Sequence, residues 1–133
     1  MWRTVAVALV LLVGCGDDGT GNGVSGGTYS CRGAFPGTTT LAVCVEASGG
    51  TAQDEANNRQ QCTAGGNMFA TEACPRAGLL GGCRETTTAS DAMITTWYYT
   101  SGSGPSSSAD IQMLCQGLAS VAPASVMISF VSP

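Results

Sequence analysis

Apolar and polar positions divide the chain into an apolar start, a glycine-rich gap and a longer, mixed remainder. The run "TVAVALVLLV", residues 4–13, follows a single positive charge at Arg3. Ten such residues in a helix span about 15 Å, half of a bilayer core, so the run predicts a cleaved leader rather than a membrane-crossing helix. Beyond the gap, helical periodicity is strong in one place. Ile111, Leu114, Cys115 and Leu118 recur at i, i+3, i+4 and i+7 behind Ser107 and Asp110 in a capping relation, which predicts an amphipathic helix over 108–118. A second helix is predicted over 52–63 from Thr51 with Asp54 and from the Glu55–Arg59 pair, but its apolar face is thin. Short apolar strands are expected after the two helices, "MFATEACP" at 68–75 and "MISFVSP" at 127–133.

The most β-prone stretch is "MITTWYYT", residues 93–100, rich in threonine, isoleucine and aromatics. The turn "ASDA" (89–92) can fold it back on 83–88 as a hairpin. Period two places Ile94, Thr96 and Tyr98 on one face and Met93, Trp97 and Tyr99 on the other, so both faces carry large aromatics. Helices cover one face of a two-layer domain. Trp97 with Tyr99, or Tyr98, is therefore a candidate ligand platform for sugar rings or a partner protein, against the plainer role of filling a small core.

At the join of the apolar run and the gap stands Leu12-Val13-Gly14-Cys15, which resembles the lipobox of bacterial lipoproteins. That resemblance implies removal of residues 1–14, a diacylglyceryl group on the Cys15 sulfur, and usually acylation of the new amine. Each buried methylene contributes about 0.8 kcal/mol, so two or three chains hold a protein at the membrane effectively permanently. Residues 15–27 then form a flexible tether, with a reach of roughly 20 Å beyond the anchor. Two motif echoes fall in it. Gly23-Val24-Ser25-Gly26-Gly27 fits G-x-S-x-G, but the chain has no histidine to serve as base. Asp18, Thr20 and Asn22 begin like a calcium loop, yet the twelfth position is Tyr29 where a glutamate is needed.

The remainder, residues 28–133, is one small domain with six cysteines, Cys31, Cys44, Cys62, Cys74, Cys83 and Cys115. On an exported chain an even set reads as three disulfides. None has C-x-x-C spacing, so neither a redox pair nor a zinc site is expected. The stretches "LAVCVEA" (41–47) and "LGGCRET" (80–86) share L-x-x-C-x-E, and each precedes a cysteine-bearing helix and a short strand. These matches suggest a diverged internal repeat. On that repeat Cys44–Cys62 and Cys83–Cys115 are equivalent strand-to-helix bridges, which leaves Cys31–Cys74. An alternative scheme joins Cys31–Cys44 and Cys62–Cys74 and keeps Cys83–Cys115. The expected fold is thus a small α+β domain, two short helices on an antiparallel sheet, stapled by three disulfides.

Charge narrows the chemistry. Five basic residues stand against nine acidic ones, a formal net charge of −4 that becomes more negative once Arg3 leaves with the leader. The acidic chain has no basic stripe with which to neutralise phosphates, so nucleic acid is not an expected partner, and anionic lipid headgroups do not attract the domain. Without histidine, the common acid–base and nucleophilic triads are excluded. Glu46 and Glu85, each two residues after a cysteine, are the suggestive carboxylates, and ion pairing to Arg32, Arg59 or Arg84 is the simpler role for them. No cofactor or metal is expected.

The layout of lipobox, Gly/Asp-rich tether, C-x-E strand, helix cysteine and "ACP" resembles small Cys-rich lipoproteins of myxobacterial type. That resemblance implies a cell-envelope location and brings no activity. The expected function is a non-catalytic, lipid-anchored structural or interaction protein of the envelope, with a glycan- or protein-binding module on strand 93–100 as the alternative. Gly16 after the lipidated cysteine, in place of aspartate, favours the outer over the inner membrane.

Overall fold

A computed structural model describes residues 27–34, 41–102 and 104–133. The leader, Cys15 and the tether through residue 26 lie outside the described residues. The elements run β1 (Tyr29–Ala34), β2 (Leu41–Ser48), α1 (Ala52–Ala64), β3 (Met68–Ala70), β4 (Leu79–Thr87), β5 (Met93–Tyr99), α2 (Ser108–Val121) and β6 (Val126–Val131). Six strands form one sheet in the order β3-β1-β2-β5-β4-β6, and every ladder is antiparallel. Two helices on an antiparallel sheet is therefore the observed α+β architecture.

Both helices begin where their caps predict. Thr51 accepts from the Asp54 amide and Asp54 reaches back to the Thr51 amide, a complete capping box for α1. Ser107 accepts from the Asp110 amide at 3.2 Å to start α2. The helices differ in what holds them. Beneath α2, Ile111 and Cys115 are fully buried against Leu80, Tyr98, Leu118, Ile128 and Phe130. The helix continues three residues past the predicted end, to Val121, and stops short of Pro123. Under α1 only Cys62 is buried. Polar contacts do the rest: Asn58 donates to the Tyr29 hydroxyl at 2.7 Å, and the Arg59 guanidinium lies 4.4 Å from the Phe69 ring centre.

Period-two alternation sends Cys31, Val45, Thr96, Cys83 and Phe130, which are paired in one row across the sheet, to the face that carries the helices. Cys44, Glu46, Thr95, Trp97 and Arg84 take the opposite face. This alternation decides the disulfides. Cys31 faces α1 and bonds Cys62, Cys83 faces α2 and bonds Cys115, and Cys44 on the far face bonds Cys74. Cys83–Cys115 is the pair common to both sequence schemes. The favoured Cys44–Cys62 and Cys31–Cys74 pairs are corrected, because Cys44 points away from α1. The alternative Cys31–Cys44 and Cys62–Cys74 also fails, since Cys31 and Cys44 project from opposite faces of the sheet.

Two strand expectations change as well. The β1 strand, "YSCRGA", has no apolar alternation to mark it in the sequence. After α1, the strand expected over 68–75 ends at Ala70, because the chain then crosses the far face to reach Cys44. The stretches 41–47 and 80–86 lie on β2 and β4, which hold different places in the sheet, so those two stretches do not correspond.

Candidate functional site

Each helix packs mainly on the two outer strands of its own side: α1 on β1 and β3, α2 on β4 and β6. The two central strands, β2 and β5, are left between them. Their helix-side residues are Val43, Val45 and Ala47 on β2 and Ile94, Thr96 and Tyr98 on β5. Ala47 is buried and the other five are only partly covered. Among the described residues they line a trough, apolar apart from Thr96, with the polar α1 along one side and the apolar α2 along the other. Tyr98 belongs to the α2 side, where it packs on the Cys83–Ile111–Cys115 cluster. Burial raises its phenol pKa above the ordinary 10.0, so it is a neutral hydroxyl at physiological pH.

Beyond the trough, a cavity of about 80 Å³ lies beneath the end of α2, lined by Leu118, Val121, Pro123, Val126, Ile128 and Glu85. Glu85 shares its row with Ala47, Ile94 and Ile128, and so faces the helices. Glu46 faces the other way. Its carboxylate accepts from the Cys74 amide at 2.9 Å and from Arg76 at 3.0 Å. The two carboxylates singled out in the sequence are therefore on opposite sides of the sheet and share no cleft. Glu46 instead anchors the crossing segment.

The aromatic platform expected on 93–100 is not presented. Trp97 and Tyr99 are 4% and 3% exposed, although they lie on the face without helices. The segment 71–78 covers them: Cys74 is bonded to Cys44, Tyr99 donates its hydroxyl to the Pro75 carbonyl at 2.8 Å, and the Arg76 guanidinium sits 4.6 Å from the Trp97 ring centre. Arg76 is held over that ring by Glu46. The Trp97 indole N–H is buried without a hydrogen-bond partner among the described residues. Trp97 and Tyr99 thus form the core with Cys44 and Cys74, and Tyr98 alone of the three faces the trough.

All six domain cysteines are bonded, and among the described residues no group of three or more His, Cys, Asp or Glu is arranged to hold a metal ion. Sequence reasoning missed Val43 and Val45 as partly exposed residues. Their alternation with Cys44 and Glu46 was visible, but which face would stay open depends on where the helices land. No family model, no curated protein and no solved structure matches the chain.

Proposed function

We propose that the protein is a non-catalytic, lipid-anchored interaction protein of the bacterial cell envelope, and that the trough over β2 and β5 receives its partner. The supporting observation is the strip of partly exposed side chains, Val43, Val45, Ile94 and Thr96, that the described residues leave between the helices, in a domain that clamps both helices and the crossing segment by disulfides. Apolar side chains left in a row between two walls are how a rigid domain offers itself to a partner. The separation of Glu46 from Glu85 supports a non-catalytic role. Leu12-Val13-Gly14-Cys15 supports the anchor, and Gly16 the outer membrane.

The same reading includes an origin by duplication of a β-β-α-β unit. The matching positions are Cys31-Arg32 with Cys83-Arg84 and Phe69 with Phe130, and both disulfides then join the first strand of a unit to its helix.

A photoreactive residue at Thr96, compared with one at Ser120 on α2, tests the trough in cells. A discrete crosslinked product from Thr96 and none from Ser120 is expected; equal, diffuse labelling from both overturns the reading. The anchor is tested separately by the mass of the amino-terminal peptide. An unmodified Cys15 overturns lipidation.

A further inference from the structure

The sheet ends differently at its two edges. One edge is β3, three residues long. The other is β6, six residues long, "VMISFV", with no charge, no proline and no bulge in its ladder with β4. Natural sheets blunt a free edge with a charge, a proline, a bulge or brevity, because its unpaired amides and carbonyls template another strand. Among the described residues none of these devices is present at β6. The phase of the ladder identifies the free groups. Thr88 donates to the Ser125 carbonyl at 3.1 Å, so hydrogen-bonded pairing with β4 falls on Ser125, Met127, Ser129 and Val131. The backbone groups of Ile128 and Phe130 point outward, as does the Val126 carbonyl, while the Val126 amide is used by Pro123.

The geometry points to β6 as a dimerisation edge, where a second copy of this chain adds its own β6 antiparallel about a two-fold axis at Ile128. Strand β6 is its own complement in that register. Ile128 meets Ile128, Val126 meets Phe130, and Met127 meets Ser129. The outward amide and carbonyl of Ile128 are then paired with those of the other Ile128 and the Phe130 amide with the Val126 carbonyl, and the apolar side chains of Val126, Ile128 and Phe130 continue from one copy to the other on the helix face. Charge favours a second copy over a basic partner at this edge. The chain is acidic overall, yet residues 111–133 have no acidic or basic side chain, and the nearest carboxylate in the ladder, Glu85, lies on β4, one strand in from the edge, so two copies meet at β6 without charged side chains on the meeting strands. This edge is separate from the trough on β2 and β5, and neither proposal depends on the other.

Two differently tagged full-length copies co-expressed in cells provide the test. Met127 is 65% exposed and Ser129 is also exposed, and both lie on the face away from the helices, so charges there leave the cores intact. The wild-type copies are expected to co-precipitate. A chain carrying Met127→Lys with Ser129→Lys is expected to lose at least tenfold of that signal against its own kind, and so is a chain carrying Met127→Glu with Ser129→Glu. Mixing the Lys chain with the Glu chain restores it, because each lysine then faces a glutamate. Peptide mapping of the three disulfides confirms that each variant is folded. Failure of the wild-type copies to associate, association untouched by the Lys changes, or a photocrosslinker at Met127 that captures a different protein would each overturn the proposal.

Discussion

Val45 and Thr96 face each other at the centre of the sheet, and the ladder reads alike outward from that pair in both directions. On one side the row continues through Cys31 to Phe69, and on the other through Cys83 to Phe130. Cys31 and Cys83 thus hold matching positions, each facing the helix it is bonded to. The match stops at the helices. Apolar side chains pack beneath α2, whereas α1 rests on the sheet through one buried cysteine and polar contacts.

Removing each helix clamp therefore has different local consequences. The two loops are nearly equal, with separations of 31 and 32 residues, so the chain-entropy contribution is about 4 kcal/mol for either. In a Cys31→Ser, Cys62→Ser variant the α1 amides are expected to lose hydrogen-exchange protection while the sheet keeps it. In a Cys83→Ser, Cys115→Ser variant α2 is expected to stay protected until global unfolding, because Ile111 and Leu118 still pack. Hydrogen exchange followed by mass spectrometry separates the two. Equal loss at both helices would contradict the difference in packing.

Trp97 and Tyr99 act as core rather than as a binding platform. Trp97→Ala is expected to cost about 3–5 kcal/mol in denaturant unfolding. Tyr99→Phe, which removes the hydrogen bond to Pro75, is expected to cost about 1 kcal/mol. Trp97→Phe forfeits no hydrogen bond, since the indole N–H has no partner among the described residues, and its cost comes from packing alone. Values within about 0.5 kcal/mol for Trp97→Ala would mark an exposed residue and refute the buried assignment.

Two glycines give opposite signs. A β-carbon at Gly82 would stand 2.8 Å from Trp97 Cε3 and 2.9 Å from the Thr96 carbonyl oxygen, so the strand or the indole has to move. Gly82→Ala is expected to destabilise by roughly 1–3 kcal/mol. At Gly117 in α2 nothing lies within 4 Å of the added carbon, and Gly117→Ala is expected to stabilise by about 0.5–1 kcal/mol through helix propensity. Thermal melts of both variants check the pair.

The start of α2 is sensitive to acid. Hydrogen bonds from the Ser107 and Ser106 hydroxyls, and from the Ser106 amide, hold the Asp110 carboxyl below its ordinary 3.8. A depressed folded-state value means that the unfolded chain binds the proton first. The contribution of Asp110 is therefore complete above the ordinary value and is lost as pH falls through the depressed one. Melting curves of the wild type and Asp110→Asn should differ at neutral pH and converge in strong acid. A gap that persists unchanged at low pH would rule out the carboxylate as its source.

Much of the local architecture was legible in the residues themselves. Thr51 with Asp54 and Ser107 with Asp110 placed both helix starts, because caps are satisfied by atoms three positions away. The hairpin of β4 and β5 and the β-rich 93–100 stretch followed from side-chain type and a short turn. The strand β1 did not, since "YSCRGA" is stabilised by partners 7 to 40 positions along the chain rather than by its own pattern.

What the sequence alone determined is the inventory and the local geometry: a small α+β domain, its helix caps, its acidic charge and an even set of six cysteines after Cys15. Only the tertiary structure decided which cysteines meet, which aromatics are buried and which strands stay uncovered. Pairing depends on which face of the sheet a side chain leaves, and one residue separates Cys44 from the face that Val45 shares with Cys31. The burial of Trp97 depends in turn on a segment about twenty residues away, drawn across it by the bond from Cys74 to Cys44. Contacts at that distance are set by register and topology, which no local pattern encodes.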